Sequence, residues 1–283
     1  FEPRASSAGV SLSMDIGRTS VQPAYPEVRG LARGLTLLKA LNRCSGGFAT
    51  TGELASMTGL HRTTVKRLLE TLRAEGMVRL GEREGQYFLT FEVKGLSEGV
   101  EDEQWVTRVA RPAMYEALRD LLWPCDLATV DAGFMVVRES THRWSNLSQH
   151  RAMIGRRMPL FVTALGRAYM AGCAEEELTA ALSILKERKD WIGATARDRV
   201  LVARLVHEVV SRGYALNDGE FQKELHFSAV AVPLVNGSRI LGAVNMIFPK
   251  DVISPELLRE KYVPRLKALA HKIGKESEPW IGG

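Results

Sequence analysis

The order of three helical patterns and one hairpin pattern near the start of the chain restricts its fold more than any other feature. The first pattern, EVRGLARGLTLLKALN, ends at the glycine pair of residues 46–47. Its apolar residues recur at helical spacing and predict one stripe, formed by Val28, Leu31, Leu35, Leu38 and Leu41. In the second pattern, TTGELASMTG, Thr50 followed by Glu53 is typical of a capping box, so a short helix should run to about Met57.

The third pattern, GLHRTTVKRLLETLRAEG, predicts a helix with two different faces. Its inner apolar stripe is Val65, Leu68, Leu69 and Leu72, and its outer face carries Arg62, Thr63, Lys66, Arg67 and Arg73. After Gly76, MVRLGEREGQYFLT changes to two short apolar runs around Gly81 to Gly85, which predicts a β-hairpin. Helix, short helix, turn, basic helix and hairpin, in this order, are typical of a winged helix-turn-helix.

The basic outer face of the third helix predicts a contact with double-stranded DNA. A helix of about 10 Å diameter fits the major groove, where Arg recognises guanine and Lys or hydroxyl groups contact phosphates. Residues 27–96 also hold eleven Lys and Arg against seven Glu, so most of the net charge of +5 lies here. The residues assigned to the groove are Arg62, Thr63, Lys66 and Arg67, and Thr64 points closer to the helix start. Arg83 and Arg79 are assigned to the wing, and His61 is expected to cap the helix or to contact a phosphate. A basic face that is merely solvated, or a winged helix that binds protein, are the alternatives.

A linker helix is predicted over residues 97–123. DEQWVTRVARPAMYEALRDLL places one apolar stripe at helical spacing, formed by Trp105, Val106, Val109, Ala113, Met114, Ala117, Leu118 and Leu121. Pro112 should kink or split the helix because it cannot donate a backbone hydrogen bond. The stripe either packs within its own chain or pairs with a second copy, and the two-fold symmetry common among DNA-binding proteins favours pairing.

Residues 124–276 predict an α+β domain. CDLATVDAGFMVVRES indicates two strands, TALGRAYMAG a helix of small residues, and ARDRVLVARLVHEVVSRGY a longer amphipathic helix that stops at Gly213. FSAVAVPLVNGSRILGAVNMIF indicates two strands joined by Asn236-Gly237, and a last helix runs from about Pro255 to Ile273. Polar residues within apolar surroundings suggest a small-molecule pocket: Asn217, Ser228 and Asn245. Arg151, Arg156 and Arg157 either pair with a carboxylate or are solvated.

Other functions receive little support from the sequence. The histidines are scattered and no HExxH, GxSxG or phosphate-binding loop is present, so we predict no catalytic residue and no cofactor. The three cysteines lack any metal-ligand spacing, which predicts no metal site and a reduced, cytoplasmic compartment. No apolar run reaches the roughly 20 residues of a membrane span. Residues 1–26 read as a flexible arm without a signal-peptide core, and residues 277–283 as a tail. Redox sensing through Cys125 or Cys173 remains an alternative.

Several stretches resemble the IclR family of bacterial transcriptional regulators. They are LASMTGLHRTTVKRLLETLRAEG, LSEGVEDEQW, GRRMPLFVTALGRAYMA and SRGYALNDGE with FSAVAVPL, so that the resemblance covers about residues 27–276. Within this family, VRGLARGL, GLHRTTVKRLLETL, WPCDLATVDAGFMVVRESTHR and HRAMIGRRMPL are most similar to activators of 3-(3-hydroxyphenyl)propionate degradation genes. The resemblance implies a winged helix-turn-helix at 27–96, a linker helix and a GAF-like effector-binding domain at 124–276, assembled as a dimer or a dimer of dimers.

The resemblance also implies positions for an effector. The positions that match the ligand contacts of relatives with a bound small acid are Ala164, Leu165, Asn217, Phe227 and Asn245. Ile247 shares the strand face of Asn245, and Met158 precedes the same loop and would add an apolar wall. This sequence has Phe227 where a smaller residue can occur, which suits stacking on an aromatic ring. The expected function is an activator of aromatic-acid catabolic genes that responds to a small aromatic carboxylate and contacts RNA polymerase. Repression in response to another organic acid, or an enzyme with an appended DNA-binding domain, are the alternatives.

Overall fold

The computed structural model describes residues 25–97, 104–148, 150, 152–220 and 225–281. Residues 1–24 of the predicted arm, residues 98–103 at the start of the predicted linker and Arg151 lie outside these ranges. No helix in the described ranges is long and apolar enough to cross a membrane. The buried apolar side chains form one core between Leu37 and Tyr87 and two further cores from Trp105 onwards.

The first part of the chain is the predicted winged helix-turn-helix. Its elements are α1 (Arg29–Arg43), a 3-10 turn (Ser45–Gly47), β1 (Phe48–Thr50), α2 (Thr51–Thr58), α3 (Arg62–Ala74), β2 (Val78–Leu80), β3 (Gln86–Leu89) and α4 (Glu92–Gly95). The three strands form an antiparallel sheet in the order β1-β3-β2, so β2 and β3 are the predicted hairpin. The capping box is present: Thr50 accepts from the N–H of Glu53, and Glu53 accepts from the N–H of Thr50.

The buried face of α1 differs from the predicted stripe. Leu37 and Leu41 are fully buried and Ala40 is nearly so, whereas Val28, Leu31 and Leu35 are largely exposed. Of the predicted stripe, Leu41 and Leu38 do lie in or against the core, so the prediction is right for the second half of α1 and wrong for the first. The inner stripe of α3 was predicted correctly, since Val65 and Leu69 are fully buried and Leu68 and Leu72 pack against the same core.

The second part of the chain is an α+β structure built on a six-stranded antiparallel sheet. A π-helical stretch (Val106–Ala110) leads into α5 (Arg111–Leu121). The elements that follow are β4 (Cys125–Asp131), β5 (Phe134–Ser140), β6 (Arg157–Pro159), α6 (Ala164–Gly172), α7 (Glu175–Lys186), α8 (Trp191–Arg197) and α9 (Arg199–Arg212). The last part of the chain forms β7 (Ala215–Asp218), β8 (Phe227–Asn236), β9 (Arg239–Pro249), α10 (Pro255–Leu257), a second π-helical stretch (Leu258–Tyr262), α11 (Val263–Glu276) and a 3-10 turn (Glu278–Trp280). The strand order is β6-β5-β4-β9-β8-β7.

Both faces of this sheet are covered. On one face, α6 and α9 pack over alternate strand residues such as Ala128, Ala231 and Ile247. On the other face, α5, α11 and the first π-helical stretch pack over the intervening residues, such as Leu127 and Val244. Because side chains alternate between the faces of a strand, each strand contributes to two separate cores.

The predicted pairing of the linker stripe with a second copy is wrong for the described residues. Trp105, Val106, Val109, Met114 and Leu121 are all buried against the sheet and α11 of their own chain. Packing within the chain, the alternative interpretation, is what the structure has.

Pro112 does not split the helix, but it follows closely on a π-helical stretch. The residues before it keep right-handed helical dihedral angles, and the N–H of Arg111 bonds to the carbonyl of Val106, five residues back. The wider π turn leaves room for the proline ring, which would clash with a carbonyl in a regular turn. The same arrangement precedes Pro264, where the N–H of Val263 bonds to the carbonyl of Leu258.

The described part of the predicted tail packs on the domain. Ser277 is fully buried, the guanidinium of Arg108 lies 5.6 Å from the ring centroid of Trp280, and Arg239 donates to the carbonyl of Ile281. Residues 277–281 therefore continue the second domain, and only residues 282–283 lie outside the described part of this segment.

Candidate functional site

The outward face of α3 is held in place by its start and by its buried stripe. Gly59 has φ +68°, a left-handed conformation that suits glycine and reverses the chain between α2 and α3. His61 then caps α3: its ring accepts from the N–H of Thr63, and its Nδ1 lies 2.8 Å from the Thr63 hydroxyl oxygen. His61 and Thr63 are thus hydrogen-bonded to each other at the N-terminal end of α3. DNA-recognition helices contact the major groove with this end.

The cations predicted to contact DNA remain available. Arg62, Lys66 and Arg67 are exposed, and none of them donates a hydrogen bond to another described residue. The guanidinium of Arg62 lies beside Gly52 at the start of α2, where an added Cβ would be 3.3 Å from it. Thr64 is only partly exposed.

Arg73 differs from the other cations of α3 because it is ion-paired. It donates through two nitrogens to Glu70, with a shortest distance of 2.6 Å. The Tyr87 hydroxyl of β3 donates to the other oxygen of Glu70 at 2.8 Å. The hydrogen bonds from Arg73 and Tyr87 hold the pKa of Glu70 below its usual value. Glu70 therefore ties α3 to the wing while it occupies Arg73.

The wing presents one braced arginine and one unpaired arginine. The guanidinium of Arg79 lies 4.6 Å from the ring centroid of Phe88, which stacks on Phe48. Arg83 is exposed in the loop between β2 and β3 and forms no ion pair within the described ranges. An exposed cation at this position matches a contact with a phosphate.

The seven positions predicted for an effector lie around one face of the large sheet. Met158 (β6), Ala164 and Leu165 (start of α6) and Ile247 (β9) belong to the core between the sheet and α6, and Phe227 (β8) packs against it. Asn245 precedes Ile247 by two residues on β9 and so shares its face. Asn217 pairs in register with Ala229, next to Ile247. The structure thus brings all seven to one side.

The two buried amides of this face are already hydrogen-bonded. Asn217 donates to the carbonyl of Val162, just before α6, and Asn245 accepts from the N–H of Asp126 at 2.8 Å. Ser228 was predicted with them but lies on the opposite face of β8, where it donates to Asp218. The alternation of side chains along the strand explains the difference.

Arg157 is not available to a ligand carboxylate or to solvent as a free cation. It donates to a carboxylate oxygen of Asp131 at 2.5 Å and to its carbonyl at 2.8 Å, and it lies over the ring of Phe134. Arg156 donates to the sulfur of Met153. Of the two arginines of this group that the structure describes, neither points to an anion site.

Sequence reasoning missed a buried polar group beside these seven residues. Asp126 (0% exposed) and His142 (1% exposed) lie with their Oδ2 and Nε2 atoms 3.6 Å apart. The ring of His142 is 5.6 Å from that of His150, which in turn is 5.1 Å from the ring of Phe227. The one available signal was Asp126 itself, an acid inside the otherwise apolar strand sequence CDLATV.

The face that carries the seven residues is closed by packing. Met158, Ala164, Leu165, Asn217, Asn245 and Ile247 are each at most 7% exposed. An open cleft of about 380 Å³ lies instead on the α8–α9 side of α6, lined by Phe161, Val162, Arg167, Trp191, Thr195, Leu201, Arg204, Leu205, Glu208 and Glu220. None of the seven lines it, so a molecule that reaches them must displace packed side chains.

The cysteines have the environment of unreactive thiols. Burial raises the pKa of Cys125, and burial together with the charge of Glu177 raises the pKa of Cys173 to about 11. Because the thiolate is the reactive form, redox sensing through these residues is disfavoured. Among the described residues, no three acidic, histidine or cysteine side chains are grouped to hold a metal ion.

Comparison with known proteins covers both parts of the chain. The IclR helix-turn-helix domain model matches residues 30–81, and the model for the bacterial transcriptional regulator IclR C-terminal domain matches residues 100–275. The chain is similar to the HTH-type transcriptional regulator TsaQ1/TsaQ2 of Comamonas testosteroni, with 27% identity over 88% of each chain. It is also similar to the transcriptional repressor IclR of Escherichia coli, with 25% identity over 74% of this chain and 76% of the repressor.

One solved structure of the same fold contains a ligand. An IclR homologue of Microbacterium hydrocarbonoxydans, complexed with 4-hydroxybenzoate, aligns with a TM-score of 0.56 and 20% identity over 88% of this chain and 99% of the homologue. The matching families and the named relatives are transcriptional regulators and not enzymes.

Proposed function

Because the chain belongs to the IclR family of bacterial transcriptional regulators, we propose that this DNA-binding regulator activates aromatic-acid catabolic genes in response to a small aromatic carboxylate. The observation that carries the proposal is the ring of Phe227, next to His150 and to the sheet face that bears Asn217 and Asn245. An aromatic wall beside a few polar groups fits a ring with a polar substituent.

The DNA contact is assigned to α3 and the wing. Arg62, Thr63, Lys66 and Arg67 would enter the major groove, with Thr64 at the helix start and Arg83 on a phosphate. The exposure of these cations and the absence of ion-pair partners among the described residues support the assignment. Arg73 is left out because Glu70 holds it.

The effector site is assigned to Met158, Ala164, Leu165, Asn217, Phe227, Asn245 and Ile247. The N–H groups of Ala164 and Leu165 lie in the first turn of α6, where a carboxylate is favoured by the helix dipole. The homologue complexed with 4-hydroxybenzoate supports the ligand class, because a protein of the same fold binds an aromatic acid.

Self-association is the third element of the proposal. A regulator that reads a partly palindromic operator needs two copies, as a dimer or a dimer of dimers. The exposed stripe Val28, Leu31 and Leu35 on α1 supports a contact in the DNA-binding half, since the linker stripe is used within the chain. Binding of the acid would shift the assembly between states that differ in affinity for DNA or RNA polymerase.

Activation has a competing candidate. The Escherichia coli relative is a repressor, which favours repression by this chain, whereas the sequence stretches quoted for the activator group favour activation. Transcription in vitro from the upstream promoter distinguishes the two: an activator raises the yield of transcript when the acid is added, and a repressor lowers it in the absence of the acid.

Fluorescence anisotropy on DNA from upstream of its own and neighbouring genes tests the ligand class. We expect sequence-dependent binding at a stated salt concentration, changed by an aromatic acid and unchanged by acetate. Response to acetate alone would contradict the aromatic assignment.

Substitution of Phe227 tests its place in the site. Phe227→Ala should weaken the response to the acid and spare DNA binding without ligand, because the ring lies far along the sequence from α3 and outside its core. Phe227→Leu is the matched control for volume: it keeps apolar bulk and loses the ring. If both variants respond as the native chain does, Phe227 is not part of the site.

A further inference from the structure

The carboxylate of Asp126 is buried without a hydrogen-bond donor. It lies in the middle of β4 with 0% exposure, and no described residue donates to Oδ1 or Oδ2. The backbone N–H of Asp126 bonds to Asn245, so the residue lies directly beside the predicted effector positions on β9. Burying a carboxylate without hydrogen-bond donors costs free energy of folding, so buried polar groups usually have a hydrogen-bond partner.

The neighbouring imidazole does not supply that donor in its neutral form. The Ser148 hydroxyl donates to the carbonyl of His150 at 2.6 Å, so its oxygen accepts from Nδ1 of His142 at 2.6 Å. Nδ1 therefore carries the proton, and Nε2 of a neutral ring is an acceptor. Nε2 lacks a partner in the described residues and faces Oδ2 of Asp126 at 3.6 Å, beyond hydrogen-bond distance.

Protonation of His142 would not complete the group either. A proton on Nε2 would serve one oxygen of Asp126 and leave the other without a donor. In both of these arrangements at least one oxygen of Asp126 has no donor among the described residues. A ligand carboxylate is excluded here, because it would bring a second negative charge against Asp126.

We propose that Asp126 and His142 form the end of the effector site that receives a ring hydroxyl of the ligand, with the hydroxyl donating to Asp126. The inference rests on the proposed function and narrows its ligand class to hydroxylated aromatic carboxylates. The rings of His142, His150 and Phe227 lie in contact one after another, and so connect this end of the site to the apolar wall.

The two ends of the proposed site lie on different strands of the sheet. β4, which carries Asp126, is separated from β7, which carries Asn217, by β9 and β8. At a spacing of about 4.8 Å between strands, about 14 Å lie between these two backbones. The hydroxyl would lie at Asp126 and the carboxylate near Asn217 and the start of α6, and the ligand would have to displace the side chains packed between them.

Three ligands that differ at one ring position test the assignment. Dissociation constants would be measured by calorimetry on the full chain for 3-(3-hydroxyphenyl)propionate, 3-(3-methoxyphenyl)propionate and 3-phenylpropionate. The methoxy compound keeps the oxygen and loses the proton. We expect the hydroxy acid to bind about 10- to 100-fold more tightly than both others, as for one hydrogen bond to a charged group. Equal affinities for the hydroxy and methoxy acids would overturn the assignment.

A matched pair of variants separates Asp126 from general effects of a buried carboxylate. Asp126→Asn keeps the shape of the side chain and removes its charge, and we expect most of the preference for the hydroxy acid to disappear. Glu139→Gln is the control, because Glu139 is a buried carboxylate on the opposite face that binds Arg111. Its preference should equal that of the native chain. Retention of the preference in Asp126→Asn contradicts the proposal, and the native-chain ligand series decides if that variant does not fold.

Operator binding in the same samples distinguishes the two levels of failure. If the acids bind equally, the hydroxyl assignment fails and the proposed function stands. If none of the three acids binds while sequence-specific DNA binding persists, both the aromatic effector class and the hydroxyl assignment fail, and the DNA-binding regulator remains.

Discussion

The arginines of α3 have unequal surroundings, and we expect unequal contributions to DNA binding. Arg62→Ala should cost about 1–3 kcal/mol of specific binding free energy, because its guanidinium is exposed, unpaired and at the helix start. Stability to urea should change little. Anisotropy on operator and random DNA measures the loss.

Arg73→Ala is the matched control on the same helix. Arg73 is ion-paired to Glu70 and lies in the last turn, away from the end that enters the groove. We expect a clearly smaller loss of affinity than for Arg62→Ala. Equal losses would mean that the two arginines act only through net charge.

Cys173 permits a prediction about pH. Its pKa is raised to about 11, so the thiol is protonated at neutral pH and the reactive thiolate appears only as pH rises towards that value. Alkylation by iodoacetamide should therefore increase about tenfold per pH unit from neutral pH upwards. Mass spectrometry of the Cys173 peptide, beside a free cysteine peptide, follows the rate. Rapid alkylation at pH 7 would revive the redox alternative.

Single residues of the proposed effector site were predictable only in part. The seven positions followed from the family resemblance, and the structure brings them to one face. His142 and Asp126 were not singled out, because they are separated along the chain and meet only through the pairing of β4 with β5. Arg157 was left undecided, since the sequence does not place it beside the turn that carries Asp131.

Among the elements, α6 packs closely against the chain segment at Leu160, and this contact requires a glycine at position 166. A Cβ at Gly166 would lie 2.3 Å from the backbone of Leu160. Gly166→Ala should destabilise the protein by about 1–3 kcal/mol, because backbone atoms must move. Urea unfolding followed by circular dichroism measures it.

Gly34→Ala in α1 is the control with the opposite sign. Nothing lies within 4 Å of an added Cβ there, and the residue is helical. Alanine should stabilise the helix by about 0.5–1 kcal/mol, because it reduces the entropy lost on folding. Destabilisation by both substitutions would contradict the packing argument.

The elements themselves were predictable where one strong pattern was present. The capping box defined the start of α2, and the glycines after α3 and between β2 and β3 defined the hairpin. The partner of an apolar stripe was not predictable: α1 buries Leu37 and leaves Leu31 exposed, and the linker stripe packs within its own chain. α8, β6 and β7 were not predicted, since short elements carry too few periodic residues, and the twelve-residue α7 was not predicted either.

At the scale of the whole molecule, linkage requires reciprocity between the two sites. If an aromatic acid changes the affinity for operator DNA by some factor, the operator must change the affinity for that acid by the same factor. Calorimetry with and without saturating operator, together with anisotropy with and without the acid, measures both factors. Unequal factors would show that the acid or the DNA also changes the oligomeric state.

Because side chains alternate along β4, this one strand lies between the proposed effector face and the core that contains the linker residues. Asp126 faces the effector side, whereas Cys125 and Leu127 lie in the core with Trp105 and Val109, on the helix that leads back towards the winged helix. One layer of peptide backbone is all that separates these environments. If a ligand displaces β4, we therefore expect the packing of that helix on the sheet to change directly, because both lie against the same strand.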